Sequence, residues 1–392
     1  MKTNFPLPLL ARGLLALAGL AAAVAGCGGG VGTGGTGSFA QGPINGFGSV
    51  IVNEVRYDDT TAQVLDADGT VRSSADLRLG MTVSIDSGAI TTTLGGQTAS
   101  AAKIQYASEM LGPLAAVDRN AGLLTLLGQS VQIDPTTVFD DRLAGGLAAL
   151  AANQLVQVYG LYDAATARYR ATRVEPVDSA TSYQLRGAVA QLDASGKTFR
   201  IGNAQFSYGG ASGVPGSLAN GVFVRMRLQS AAPGSTRWTV QSFGGAALAP
   251  GEGVTVKVKG LISAFGSNAS FSVNGQAVAA SSAQFPNGNA LSLGLRVEVE
   301  GTAQGGVLQA TKVTLVSDQS EEQHGFELHG SISVLDLAAQ TFTLRGVVVD
   351  YSGSVFKNGT AANLAVNRRI EVKGVLSNDG TRVMAGEVQF DN

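Results

Sequence analysis

The segment Ser270-Phe271-Ser272-Val273-Asn274-Gly275-Gln276-Ala277-Val278 alternates apolar and polar residues on either side of Asn274-Gly275. Asn-Gly between alternating runs is a strong signal for a two-residue hairpin, because a type I′ turn needs positive φ at both central residues. The segment Thr341-Phe342-Thr343-Leu344-Arg345-Gly346-Val347-Val348-Val349 repeats the pattern, with Gly346 in the place of Gly275. Gly128 and Gly202 occupy the same place in two further copies, and Asn53-Glu54 forms a weaker turn in another. Phe199, Phe271 and Phe342 alternate with apolar partners and read as core.

The hairpin is one part of a longer repeat. Upstream of each copy stands a Gly-x-aliphatic opening: Gly42-Pro43-Ile44, Gly112-Pro113-Leu114, Gly187-Ala188-Val189, Gly260-Leu261-Ile262 and Gly330-Ser331-Ile332, at spacings of 70, 75, 73 and 70 residues. Downstream comes an alternating strand, often closed by glycine. Its copies are Val83-Ser84-Ile85, Val156 to Gly160, Val224-Arg225-Met226, Val297 to Gly301 and Ile370 to Gly374. A last short strand follows at Ala102 to Ile104, Ala171 to Val174, Trp238 to Val240, Ala310 to Val313 and Ala385 to Val388. Between the hairpin and the alternating strand lies an Ala/Leu/Asn-rich stretch; the longest, Leu143 to Asn153, has room for a helix of two or three turns.

Three strands, a short helix or loop, and two more strands is the order of the OB-fold, a five-stranded Greek-key barrel. The expected fold is therefore all-β, a tandem array of five small OB-like barrels. Closure removes edges that would otherwise pair with other chains. Units of this size lie near the lower limit for independent stability, so neighbours are expected to pack. The composition agrees: 53 of 392 residues are Gly and only 14% are charged, which favours turns and short strands. No three-residue Gly period exists, which excludes collagen. One Cys excludes a disulfide scaffold, and two His leave little for a His-rich metal site.

The polar gaps set the expected boundaries: residues 42–109, 110–178, 183–245, 254–318 and 325–392 for the five barrels. Residues 27–41 carry the lone Cys and a Gly-rich stretch that reads as a flexible tether. Its Gly30 to Gly35 run fits GxGxxG formally, but the strand and helix that a dinucleotide site requires have no place beside it. The picture is a string of barrels, partly rigid, standing off a membrane.

The membrane enters through residues 1–26. Lys2 and Arg12 precede an apolar stretch, Gly13 to Ala25, which is too short to span a bilayer and fits a secretory signal. It ends in Val24-Ala25-Gly26-Cys27, which resembles the lipobox of bacterial lipoprotein signal peptides. That resemblance implies a diacylglyceryl group on the Cys27 thiol, cleavage before Cys27 and acylation of the new amine. Two or three acyl chains anchor stably where one does not. Gly28, where Asp would favour inner-membrane retention, implies transfer to the outer membrane, with the body in the periplasm or on the cell surface. Removal of residues 1–26 takes away Lys2 and Arg12 and no acid, moving the formal charge from −2 to −4.

The Gly-x-Ile opening, the Val-Asn-Gly-like hairpin, the Val-x-Val-x-Gly strand and the closing Ala-x-x-Val together resemble the tandem repeats of bacterial envelope lipoproteins known only as a domain of unknown function. The resemblance runs over 42–392, and the third unit departs most, since Val224-Arg225-Met226 lacks the closing Gly. It implies a barrel-like fold and an exported life, and transfers no catalytic residue.

Catalytic motifs are missing from the sequence. There is no Gly-x-Ser-x-Gly, no phosphate-binding Gly-x-x-x-x-Gly-Lys-[Ser/Thr] and no HExxH. A Ser-His-Asp triad would have to draw on His324 or His329. Glu321, Glu322, His324, Glu327 and His329 have zinc-compatible chemistry, but residues five apart on a strand face opposite ways, and a solvated linker explains them. Asp66-Ala67-Asp68-Gly69 lacks the acid at position twelve of a calcium loop and reads as a turn, as does Asp379-Gly380. Asp58-Asp59 and Asp140-Asp141 are adjacent pairs whose members face apart. No metal or cofactor is expected. Arg225 with Arg227, and Lys257 with Lys259, read as exposed strand faces, and Arg368 with Arg369 is a further basic spot; a nucleic-acid site needs a basic groove with stacking aromatics, and the mature chain is mildly acidic. Trp238, the only Trp, is the residue to watch for glycan binding.

Two functions follow. The first is a non-enzymatic envelope lipoprotein that scaffolds or binds protein or glycan partners, without nucleic acid. The second is a hydrolase or carbohydrate-active enzyme with carboxylates converging in a cleft between barrels.

Overall fold

The computed structural model describes residues 37–93, 96–245, 248–288, 290–317 and 325–391. The signal segment, Cys27, Glu321, Glu322 and His324 lie outside them. Among the described residues the regular structure is β-strand with three short 3-10 turns, at Ser74–Asp76, Gly146–Ala149 and Ala361–Asn363.

One strand circuit recurs. In barrel 2 the first strand, Met110–Asp118, pairs antiparallel with the second, Leu123–Leu126, which pairs with the third, Gln129–Gln132. The third runs parallel to the fifth, Arg168–Pro176. The fourth, Leu155–Asp163, pairs antiparallel with both the fifth and the first and closes the ring. This is the OB circuit, with strand three parallel to strand five; the short Val138–Phe139 also adds to strand five in parallel. Barrel 4 repeats it over Thr255–Ser267, Ser270–Val273, Gln276–Ala279, Arg296–Gln304 and Val307–Leu315. Barrel 5 repeats it over Phe326–Asp336, Thr341–Leu344, Val347–Asp350, Arg369–Leu376 and Val383–Phe390. Barrel 1 (first strand Gly37–Pro43) and barrel 3 (first strand Ser182–Ala188) follow the same order with that strand broken into two pieces.

The sequence landmarks have local causes. Asn274 and Gly275 both take positive φ, 51° and 86°, as a type I′ turn demands. Asn53-Glu54, Leu127-Gly128 and Arg345-Gly346 do the same, so the turn geometry holds even without an Asn-Gly pair. The opening glycine makes room for this turn. A Cβ on Gly260 would fall 2.1 Å from Asn274 Nδ2, and one on Gly42 2.6 Å from Asn53 Oδ1. With Gly260 there, Asn274 Nδ2 donates to Lys259 O at 3.2 Å and its Oδ1 accepts from the Leu261 amide at 3.2 Å. The turn is thereby clamped onto the first strand.

The closing glycine answers a different constraint. Register shifts between strands four and five at Tyr159/Gly160, Glu300/Gly301 and Lys373/Gly374. At each, the space of a Cβ is taken by a backbone carbonyl of the partner strand, 2.1 to 2.3 Å away. Barrels 1 and 3 keep a bulge there, at Asp86/Ser87 and Arg227/Leu228, without that glycine.

Four expectations need correction. No helix forms in Leu143 to Asn153, which holds only the 3-10 turn, because Gly145 and Gly146 take φ of 98° and 58° and end any right-handed helix. The expected tether is strand from Gly37 onward, with Ser38, Phe39 and Ala40 buried. Lys257 and Lys259 are buried rather than on exposed strand faces, and Arg225 is only partly exposed.

The fourth correction concerns the array. The barrels do not form a string in chain order. The first strand of barrel 1 adds in parallel to the first strand of barrel 4, Ser38 opposite Thr255 through Gln41 opposite Val258. Gly46–Phe47 adds in parallel to barrel 5, opposite Glu327 and Leu328. Barrels 2 and 3 share an antiparallel contact, Met110 opposite Leu185. One apolar core joins Ile44, Phe47 and Tyr57 of barrel 1 to Leu328, Ile332 and Phe342 of barrel 5. A second joins barrels 2 and 3, and Phe39 inserts into that of barrel 4. The described residues fall in one compact unit. The driving force is the one anticipated for small barrels: each buries too little alone.

Candidate ligand cleft

Folding back creates crevices that no single barrel contains. One of them, about 560 Å³, opens where barrels 1, 2 and 3 meet. Barrel 1 contributes a hairpin, Gln63–Leu65 with Val71–Arg72, and the 3-10 turn after it. Barrel 2 contributes Leu111 and the outward faces of strands four and five through Gln157 and Glu175, and barrel 3 contributes Gln184 and Arg227. The outer faces of the second and third strands take no part.

The charged groups here engage one another. Asp66 organises the hairpin turn: its Oδ1 accepts from the amides of Asp68 and Thr70, each at 3.0 Å. Its Oδ2 accepts from Arg72 Nε at 2.8 Å. Burial alone would raise the Asp66 carboxyl, but the Arg72 contact and the two amides outweigh it and hold it below its ordinary value. Asp68 pairs with Arg227 and ties barrel 1 to barrel 3. Asp76 accepts from the Ser73 amide at 3.1 Å. Arg78 is turned onto the carbonyls of Ala75 and Leu77.

On the barrel 2 side Arg173, almost fully buried, is the hinge of the network. Its Nη2 donates to Asp140 at 2.9 Å, its Nε to Glu175 at 2.5 Å, and its Nη1 to the Leu79 carbonyl of barrel 1 at 3.2 Å. Arg142 Nε adds a second contact to Asp140 at 3.0 Å. Asp140 is likewise held down: burial raises it, while Arg142 and Arg173 lower it more. Behind the cleft Arg225 donates to the Ser108 carbonyl, and burial lowers its guanidinium. The Tyr106 hydroxyl and the Gln184 amide line the cleft and make no side-chain hydrogen bond among the described residues.

The remaining sequence candidates fall elsewhere. His329 Nε2 contacts the Asp391 carboxylate at 2.9 Å, with Arg369 on the same oxygen at 3.1 Å. Trp238 is buried against Tyr183, ring centroids 5.9 Å apart, and presents no stacking surface. Phe199, Phe271 and Phe342 are core. Asp66 to Gly69 and Asp379-Gly380 are turns, as read. Asp140 and Asp141 are separated in role, since only Asp140 holds Arg173. Asp59 is buried, 4.0 Å from Arg345 of barrel 5. Lys257 joins barrels 1 and 4 through Gln97 Oε1 at 3.4 Å and Glu298 at 3.4 Å. Burial raises the Glu298 carboxyl, against the pull of Lys257 and Lys259.

Sequence reasoning missed Tyr106, Arg142, Arg173, Glu175 and Gln184. One signal was available. In a chain with 14% charged residues, Arg173 fills a variable position of Ala171-Thr172-Arg173-Val174, as Lys312 and Glu387 do in their copies, and a charge on a strand face needs a partner on whatever covers it.

Comparison with known proteins adds the following. Among curated proteins none matches the sequence. A solved structure described as Drosophila Unr CSD456 aligns with 55% of this chain and 99% of its own length at 15% identity, with a TM-score of 0.13, too low to bear on fold or function. Residues 112–175, 259–314 and 329–389 match the family described as Domain of unknown function (DUF5666). These are barrels 2, 4 and 5, the three with glycine at the bulge between strands four and five. Three stretches of the chain are thus similar to the DUF5666 domain, and each of them folds on the same five-stranded circuit.

Proposed function

We propose that this chain is an envelope lipoprotein, anchored to the outer membrane through lipid on Cys27, that acts as a non-enzymatic scaffold or binding protein for a protein or glycan partner. The observation that supports binding over catalysis is the state of the cleft. Carboxylates converge there, which is the arrangement a hydrolase would need, yet Asp66 and Asp140 are held low by guanidinium contacts. A general acid that cleaves glycosidic bonds needs the opposite shift. The carboxyl that burial does raise, Glu298, sits beside Lys257 in barrel 4. The hydrolase reading keeps one point in its favour, the convergence itself.

The anchor is supported by sequence: the chain has a single Cys, and it stands after Val24-Ala25-Gly26. No helix among the described residues is long and apolar enough to cross a membrane. The test is palmitate labelling of the chain and its Cys27→Ser variant, followed by membrane fractionation. Loss of label and release into the soluble fraction is the expected outcome; a variant that stays on the membrane contradicts it.

A further inference from the structure

We propose that the cleft between barrels 1, 2 and 3 binds an uncharged saccharide, held by neutral side chains against a self-neutralised charged frame. This rests on the reading of the chain as a binding protein and names the ligand class. The cleft, at about 560 Å³, falls within the roughly 300–1,000 Å³ of small-ligand sites and lies at a domain junction, where such sites concentrate.

The ligand class follows from which groups are already occupied. Asp66 with Arg72, Asp68 with Arg227, and Asp140 with Arg142 are partnered inside the protein. At those three pairs a phosphate or carboxylate ligand would have to pull a guanidinium from its carboxylate, and a cationic ligand the reverse; Arg78 and Asp76, outside the pairs, are engaged by the Ala75 and Leu77 carbonyls and by the Ser73 amide. Either exchange costs much of what it gains. The groups left over are the Tyr106 hydroxyl and the Gln184 amide, which are neutral and between them donate and accept. Carboxylate oxygens and guanidinium edges that stay paired still present spare lone pairs and N–H groups, a pattern that suits adjacent sugar hydroxyls. Tyr106 also brings a ring to the lining of the cleft. Gln184 lies opposite Arg227 across the barrel 3 ladder and opposite Leu111 across the junction with barrel 2, so its position depends on the assembled barrels.

The test uses the full chain in detergent with maltotriose, cellotriose and chitotriose as probes, by calorimetry and saturation-transfer NMR. Binding of at least one trisaccharide is expected, with the same affinity at about 50 and about 500 mM salt, because no net charge is screened. Inorganic phosphate should not compete. Tyr106→Phe and Gln184→Ala should each weaken binding about 3- to 10-fold, the effect of one lost neutral hydrogen bond, with thermal midpoint unchanged. Absence of binding by all three probes overturns the proposal, as does displacement by phosphate or indifference to both variants. Failure there, with Cys27 still lipid-bearing, leaves the anchored scaffold standing. A trisaccharide that binds and is cleaved supports the ligand class and removes the non-enzymatic reading.

Discussion

At the residue scale the repeat is written in two glycines with different tasks. The opening glycine admits the side chain of the turn residue, most clearly Gly260 beneath Asn274. Asn274 then does two things, adopting φ of 51° and bridging Lys259 O to the Leu261 amide. Asn274→Ala should lower stability by about 1–3 kcal/mol in urea unfolding. Asn274→Gly separates the two tasks: full recovery would mean that backbone conformation alone matters, and the clamp predicts only partial recovery. The closing glycine avoids a carbonyl, so Gly301→Ala, with Gln309 O in its way at 2.1 Å, should cost about 1–3 kcal/mol by overpacking. Both glycines were legible in the sequence as punctuation. Their reasons were not, because each depends on an atom far away in the chain or across a ladder.

At the element scale the decisive strand is Gly37–Pro43. In sequence it looks like the end of a tether, since Ser38, Ala40 and Gln41 are small or polar. Its burial comes from partners on both sides: the fourth strand of its own barrel, and in parallel the first strand of barrel 4. Periodicity shows which residues can be buried, and not which distant strand will cover them. Phe39→Ala should cost about 3–5 kcal/mol, and the loss should be felt in barrel 4, whose core Phe39 enters. The cleft hairpin carries a pH prediction. Asp66 and Asp140 have folded values below their ordinary ones, so the stability they contribute is fully present above the ordinary carboxylate range and is lost as pH falls through the lowered values. Thermal midpoints measured downward from neutral pH should hold near pH 5 and fall below about 4, and Asp140→Asn should flatten part of that fall.

At the scale of the molecule, the order of strands and the all-β class follow from hairpin, bulge and opening motifs read one repeat at a time. The assembly does not, because it is held by contacts between different repeats, some of them more than 200 positions apart, such as Asn53 Nδ2 donating to Lys257 O at 3.3 Å. The same holds for the cleft. Its pieces, Tyr106, Glu175 and Gln184, belong to different barrels and have no shared motif. The consequence is a body whose barrels support one another, with barrel 1, next to the expected anchor, joined by strand pairing to barrels 4 and 5. Amide hydrogen exchange on the intact chain and on Phe39→Ala reads this most directly. Residues 38–41 and 255–258 should be protected together and should lose protection together in the variant. Free exchange across 38–41 while 255–258 stays protected would mean barrels strung independently, and would contradict the account.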